Sequence, residues 1–142
     1  MPKFVINSAG DQYFLPDSSK FYFDVLMGEK YLRYVPNTDH SLKGSDARES
    51  VLAFYQAIVA GQPRPQFSWS FALDGVIEVK TAARPLAAVL WQAANPEARD
   101  SRVEAIGLAY RSSTLESSGN GTYYYTARVP TPRAVGSHIL SS

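Results

Sequence analysis

INSAGDQYFLPDSS, residues 6–19, decides how the first part of the chain folds. It continues the run KFVINS, 3–8, whose apolar and β-branched side chains indicate a short buried strand. Gly10 permits a turn after that strand, and Asp11 follows as a lone acidic residue. Because catalytic groups of parallel sheets gather just past strand ends, Asp11 is a candidate for chemistry.

The same pattern repeats further along. A helix is expected from Asp17 or Ser18 to about Leu26, a strand over KYLRYV, 30–35, and a second helix that starts with an Asp46/Glu49 capping box and ends at Gly61. The order strand-helix-strand-helix predicts a parallel pair of strands in an α/β unit over residues 1–62. Two such strands with two helices cannot cover both faces of a sheet, so this unit is expected to need further neighbours.

The second half has a different texture. GQPRPQ, 61–66, is typical of a linker, and short strands with turn signals between them follow: FSWSF 67–71, VIEVKT 76–81 after the Asp74-Gly75 turn, AAVLWQA 87–93, one strand within 105–116, and TYYYTARV 122–129. This pattern predicts a small antiparallel β-sandwich over residues 63–142, so the fold class is α/β followed by all-β. The tail PTPRAVGSHILSS is a weak strand candidate.

The composition excludes several classes of function and argues against others. The 142 residues carry a formal net charge of +1, which argues against nucleic acid or an anionic membrane as the main partner. The absence of cysteine excludes disulfides, thiolate nucleophiles and cysteine-ligated metals. No apolar run is long enough for a transmembrane helix, and the N-terminus lacks signal-peptide features. The abrupt start of the first strand after Met1-Pro2 suggests a fragment of something longer.

Asp11 and His40 form the leading candidate for a catalytic site. Each follows the end of a predicted parallel strand, and the order acid before histidine matches serine hydrolases of the α/β class. In such sites the carboxylate orients the imidazole, which takes a proton from a nucleophilic hydroxyl. No G-x-S-x-G occurs in the chain, so the nucleophile is expected upstream.

Plainer interpretations stay open for these residues. Asp11 fits an Asx turn after Gly10, and Asp17 fits a helix cap while remaining the alternative acid. His40 taken alone fits an ordinary loop histidine, and Asp39 fits a turn residue. His138 lies in the weak tail and is expected to have no role.

Other kinds of site have little support. Two histidines far apart with no carboxylate cluster predict no metal, and SSGNG follows no parallel strand, so no phosphate loop or cofactor is expected. Trp69 and Tyr123–Tyr125 fit an aromatic face for sugar or peptide, but such residues more often serve sheet packing, which is the favoured interpretation.

Longer segments resemble a known family. The run from Ile6 to Ile58, together with PRPQFSWSF, VLWQAANPEARDSR and especially GDQYFLPDSS, GEKYLRYVPNTDHSL and NPEARD, is similar to the C-terminal third of PhoPQ-activated pathogenicity-related proteins of the PqaA type. The resemblance implies an α/β-hydrolase-like fold with a serine nucleophile earlier in the chain and a β-rich extension. It also implies an exported protein, periplasmic or secreted. The tail PTPRAVGSHILSS departs from the aromatic-rich final strand expected of the family, which implies that the sandwich lacks its closing strand.

By this resemblance Asp11 matches the triad acid and His40 the triad base. Three hypotheses follow. The chain is part of a peptidase- or esterase-like serine hydrolase that acts on a small-molecule or peptide substrate and is inactive alone. In the second hypothesis, the chain is a non-catalytic binding or signalling module on a hydrolase scaffold. In the third, it is an incomplete chain from a broken reading frame.

Overall fold

A computed structural model describes residues 1–118, 123–129 and 137–141, the last range as backbone only; the Asp74 side chain also lies outside the described part. Within these residues the strands are β1 Lys3–Ser8, β2 Lys30–Val35, β3 Phe67–Phe71, β4 Val76–Thr81, β5 Val89–Ala94, β6 Arg111–Thr114, β7 Tyr123–Arg128 and β8 Ser137–Ser141. The α-helices are α1 Ala47–Val59 and α2 Val103–Ile106.

β1 and β2 form the predicted parallel pair. They align in register from Lys3 opposite Lys30 to Ser8 opposite Val35, so both strands end at the same edge of the sheet. α1 packs on this pair through Phe54, whose ring lies 5.0 Å from that of Phe4. The α/β part of the predicted fold is therefore present at its core.

The connection between β1 and β2 differs from the predicted α-helix. It is a 3₁₀-helix, Pro16–Phe21, followed by turns. The Tyr34 hydroxyl binds the Pro16 carbonyl and lies 2.5 Å from the Ser19 hydroxyl. Lys30 Nζ takes the next carbonyls, those of Phe23 and Asp24, at 2.8 and 2.9 Å. These contacts hold the segment as a 3₁₀-helix followed by turns, so the predicted α-helix to about Leu26 is wrong.

The second predicted helix is present as α1, but its start is built differently. The Asp46 carboxylate accepts a hydrogen bond from Arg33 at 2.6 Å and makes no cap bond. The Ser45 hydroxyl accepts the Ala47 amide instead, at 3.3 Å. The capping box is therefore not formed, because an arginine on β2 binds the carboxylate that would have made it.

Two three-stranded antiparallel sheets follow, with the orders β3-β4-β7 and β6-β5-β8. They share a buried cluster formed by Ile77, Leu90, Ala127 and Val129, so their inner faces pack together. The predicted hairpin at Asp74-Gly75 is confirmed, since Gly75 adopts a φ of +70° between β3 and β4. Thr122, the first residue of the last predicted strand, lies outside the described residues.

The third predicted strand is shifted and the fourth is short. The pattern over 87–93 becomes β5, Val89–Ala94, and the segment 105–116 yields only β6 after the helical turn α2. The weak tail supplies β8, which pairs with β5, so the expectation of a missing closing strand is wrong. A partner strand with a free edge is enough to order such a segment, even when its own pattern is poor.

The two parts of the chain touch at several points. The linker is held at Arg64, which binds Glu29 with two nitrogens at 2.5 and 2.8 Å. Arg99 reaches Asp17 at 2.6 Å. The division into 1–62 and 63–142 stays a prediction. In the described part of the chain, every helix falls short of the length and apolar character that crossing a bilayer requires.

Candidate functional site

The strand ends bring Asp11 and His40 together. Because β1 and β2 are parallel and in register, the loops that follow Ser8 and Val35 leave the same edge of the sheet. His40 Nδ1 lies 2.8 Å from Asp11 Oδ2. The 29-residue separation in sequence thus becomes a direct hydrogen bond between the two side chains.

Asp11 is buried and held by backbone as well as by histidine. It is 6% exposed, and its Oδ1 accepts the amides of Tyr13 at 2.7 Å and Phe14 at 3.0 Å. Burial raises the pKa of the Asp11 carboxyl, but the hydrogen bonds from Phe14, His40 and Tyr13 outweigh burial and hold the pKa below its ordinary value. The Asx turn considered from sequence is therefore present, and it uses the oxygen that His40 does not.

His40 is partly exposed and packs beside two aromatic rings. Its side chain is 46% exposed, and its ring lies 5.1 Å from Tyr13 in an edge contact and 5.5 Å from Phe14. Among the described residues, no hydrogen bond is made to His40 Nε2. When Nδ1 donates its proton to Asp11, Nε2 carries the free lone pair and can accept a proton.

A second hydrogen-bond cluster, which the sequence did not reveal, joins the two loops beneath the pair. The buried Ser8 hydroxyl donates to the Thr38 carbonyl at 2.5 Å and accepts the Gly10 amide at 3.1 Å. The Thr38 hydroxyl lies 3.1 Å from Ser8 Oγ and donates to the Val35 carbonyl at 2.8 Å. Serine and threonine at strand ends are common, so their type and spacing carried no signal of this contact.

Gly10 is required for close packing and not for a left-handed turn. A Cβ at this position would lie 2.4 Å from Val103 Cγ2 and 2.7 Å from the Thr38 carbonyl oxygen. The Val103 amide also donates to the Gly10 carbonyl at 3.2 Å. The turn that carries Asp11 is therefore packed directly against the C-terminal half.

The other candidates are engaged elsewhere. Asp17, the alternative acid, binds Lys20 and Arg99. Asp39 accepts the Ser41 hydroxyl and amide, and these bonds lower its pKa. The side chain of His138 lies outside the described residues.

The aromatic face divides into two kinds of residue. Tyr125 is buried in the sheet, whereas Trp69 is half-exposed and packs edge-on against Phe71 at 5.3 Å. Over the ranges that the structure describes, no three histidine, aspartate or glutamate side chains converge in a way that would hold a metal ion.

These observations define a class: a parallel strand pair whose carboxyl ends carry a carboxylate–imidazole pair, beside small antiparallel sheets. The family model for PhoPQ-activated pathogenicity-related protein matches residues 1–102. The chain therefore belongs to the PhoPQ-activated pathogenicity-related protein family.

A curated relative is autocrine proliferation repressor protein A of Dictyostelium discoideum, which is 44% identical over 73 residues. The matched region covers 49% of this chain and 15% of the relative, so the chain spans a small part of that protein's length. No solved structure matches the chain.

Proposed function

We propose that the chain supplies the acid and the base of an α/β-hydrolase-like serine hydrolase, with peptidase- or esterase-like activity. The observation that carries the proposal is the 2.8 Å contact between Asp11 and His40 at the shared edge of two parallel strands. The resemblance to PqaA-type proteins supports the same assignment and adds a periplasmic or secreted location.

The mechanism follows from the ring geometry. Asp11 fixes the tautomer with the proton on Nδ1, so His40 Nε2 accepts the proton of a serine hydroxyl as its oxygen attacks an acyl carbon. The imidazolium is stabilised by the Asp11 carboxylate and then gives the proton to the leaving group. A water molecule repeats the cycle on the acyl-enzyme and regenerates the serine.

The serine is proposed to come from another part of a longer protein. The chain has no G-x-S-x-G, and it spans 15% of the curated relative that it matches. The His40 side chain is 46% exposed, so a hydroxyl from another segment can reach it.

The test is active-site labelling with a fluorophosphonate, in a family protein that carries this chain together with its preceding segments. His40→Ala is expected to abolish labelling, because the serine loses its base. Asp11→Asn is expected to slow labelling by roughly 10⁴-fold, the loss known for this exchange in serine proteases.

Asp39→Asn is the matched control. It changes an acid next to His40 whose carboxylate accepts the Ser41 amide and hydroxyl, so labelling should stay unchanged. Labelling of the His40→Ala protein at the wild-type rate would exclude His40 as the base.

A second candidate is a non-catalytic signalling module on the same scaffold. It is favoured by the name of the Dictyostelium relative, which describes repression of proliferation. A proliferation assay separates the two candidates. The Asp11→Asn/His40→Ala double variant should still repress proliferation if the function is signalling, and it should no longer do so if hydrolysis is required.

A further inference from the structure

We propose that Asn37 is a positioning residue for the Asp11–His40 pair, and that it acts by tying the loop of His40 to the backbone of Tyr110. This inference rests on the proposed function, because it concerns the same pair. It adds a residue from the loop and a segment from the C-terminal half to the machinery of the site.

The tie is a pair of hydrogen bonds. Asn37 Nδ2 donates to the Tyr110 carbonyl at 3.1 Å, and the Tyr110 amide donates to Asn37 Oδ1 at 3.0 Å. A side-chain amide that satisfies both backbone groups of one residue acts as an additional strand partner. Such a contact fixes the distance and the orientation of the two segments.

Asn37 also adopts an uncommon backbone conformation. Its φ is +57°, a left-handed value that asparagine tolerates better than most residues do. The sharp turn places the amide toward Tyr110 and lets the chain reach His40 three residues later. The residue type thus meets two requirements at one position.

The anchor is rigid. Tyr110 is 2% exposed and packs in a buried cluster with Ala9, directly beneath the turn that carries Asp11. The same segment binds that turn a second time, because the Val103 amide donates to the Gly10 carbonyl. Residues 103–110 therefore hold the acid loop through Gly10 and the histidine loop through Asn37.

The value of the tie follows from the exposure of His40. Its side chain is 46% exposed, and its side-chain hydrogen bond among the described residues is the one to Asp11. The two loops are also joined to each other by the Ser8–Thr38 hydrogen bonds and by the His40 amide, which donates to Gln12 Oε1 at 3.2 Å. Asn37 adds an attachment to a third segment, the buried Tyr110, and so limits movement of the histidine loop relative to the carboxylate.

The experiment measures the His40 tautomer in the 142-residue chain by ¹⁵N chemical shifts of the ring nitrogens, in a His138→Ala background that removes the second histidine. The contact with Asp11 keeps the proton on Nδ1. Asn37→Gly tolerates the same φ but removes the amide. We expect it to raise the fraction of the other tautomer about tenfold, because two hydrogen bonds of ordinary strength are lost.

Leu42→Gly is the matched control. Leu42 lies in the same loop with a φ of +55°, and its side chain makes no hydrogen bond. The same substitution there should leave the tautomer ratio at the wild-type value. An unchanged ratio in Asn37→Gly, or an equal change in Leu42→Gly, would overturn the proposal.

Asn37→Asp provides a second variant if Asn37→Gly fails to fold, which circular dichroism will show. Its carboxylate still accepts the Tyr110 amide but cannot donate to the carbonyl, so a smaller change is expected; no change in this variant would then overturn the proposal. The readout needs no nucleophile. A tautomer shift in Asn37→Gly, together with no fluorophosphonate labelling of the longer protein, would support the role of Asn37 and reject hydrolysis. Labelling of the longer protein, together with no tautomer shift in Asn37→Gly, would support hydrolysis and reject the role of Asn37.

Discussion

At the scale of single residues, Asp11 serves the fold and the site with different oxygens. Oδ1 closes a backbone turn through Tyr13 and Phe14, and Oδ2 binds His40. The residue is therefore needed for local stability even if no reaction takes place. This makes its ionisation visible in unfolding experiments on the chain alone.

Asp11→Asn is expected to flatten the acid limb of stability. The folded pKa of Asp11 lies below its ordinary value of 3.8, so the unfolded chain binds a proton first as the pH falls. The stabilisation is present above that ordinary value and is lost as the pH drops through the folded pKa. At neutral pH the variant should lose about 1 to 2 kcal/mol, and urea unfolding at a series of pH values measures both effects.

Asp24→Asn is the control, at an exposed aspartate. It should keep the wild-type pH dependence. Parallel stability curves for the wild type and Asp11→Asn would contradict the ionic role of Asp11.

At the scale of elements, the start of α1 tests which contact Asp46 makes. Its carboxylate binds Arg33 on β2 and does not cap the helix; the Asp46 side chain is 70% exposed and that of Arg33 is 22% exposed. Asparagine is as good a cap residue as aspartate but cannot form the ion pair, so Asp46→Asn is expected to lose about 0.5 kcal/mol of stability, as for other ion pairs at the surface.

Glu49→Ala is compared with Asp46→Asn, because Glu49 would be the second residue of a capping box. A capping box would make this change costly, but no such box forms, so the midpoint of urea unfolding should barely move. A loss of about 1 kcal/mol or more in Glu49→Ala would show that the box operates in solution. A double-mutant cycle with Arg33→Ala isolates the ion pair.

The sequence pattern predicted the helices and strands that are determined by interactions between residues close in the sequence. β1, β2, β3, β4 and α1 follow apolar periodicity with turn residues at their ends, and they lie at or within about a residue of the predicted bounds. The α-helix predicted after β1 is absent, and the segment is instead held by contacts with β2, where Tyr34 and Lys30 bind its carbonyls. Contacts between distant residues leave no trace in a local pattern.

The site divides in the same way. Asp11 and His40 stood out because an acid and a histidine each follow a strand end, and their pairing follows from parallel strands. The Ser8–Thr38 contact and the Asn37–Tyr110 tie did not, because they join common residue types 30 and 73 positions apart. The catalytic relevance of Asp11, His40 and Asn37 stays a prediction.

At the scale of the whole molecule, one small core joins the two antiparallel sheets. Ile77 on β4 is 3% exposed and clusters with Leu90 on β5. Ile77→Ala is expected to cost about 2 to 5 kcal/mol, because it opens a cavity between the sheets. Unfolding in urea measures this loss.

The chain has two tryptophans, Trp69 on β3 and Trp91 on β5, so single-tryptophan variants report on each sheet separately. The fluorescence of both tryptophans should show the same shift in the midpoint of urea unfolding when Ile77 is replaced by alanine. Leu73→Ala, at an 88% exposed position, is the control and should shift neither. A shift confined to Trp69 would mean that the sheets unfold independently.

The packing of Val103 on Gly10 has a consequence for hybrid genes. Exchanging the C-terminal half with that of another family member also exchanges the surface on which the Asp11 turn rests. A chimera would therefore keep its acid and histidine geometry only if the incoming half brings a residue no bulkier than valine there, and an unobstructed backbone opposite Asn37. Modular shuffling of the halves is thus constrained at their seam.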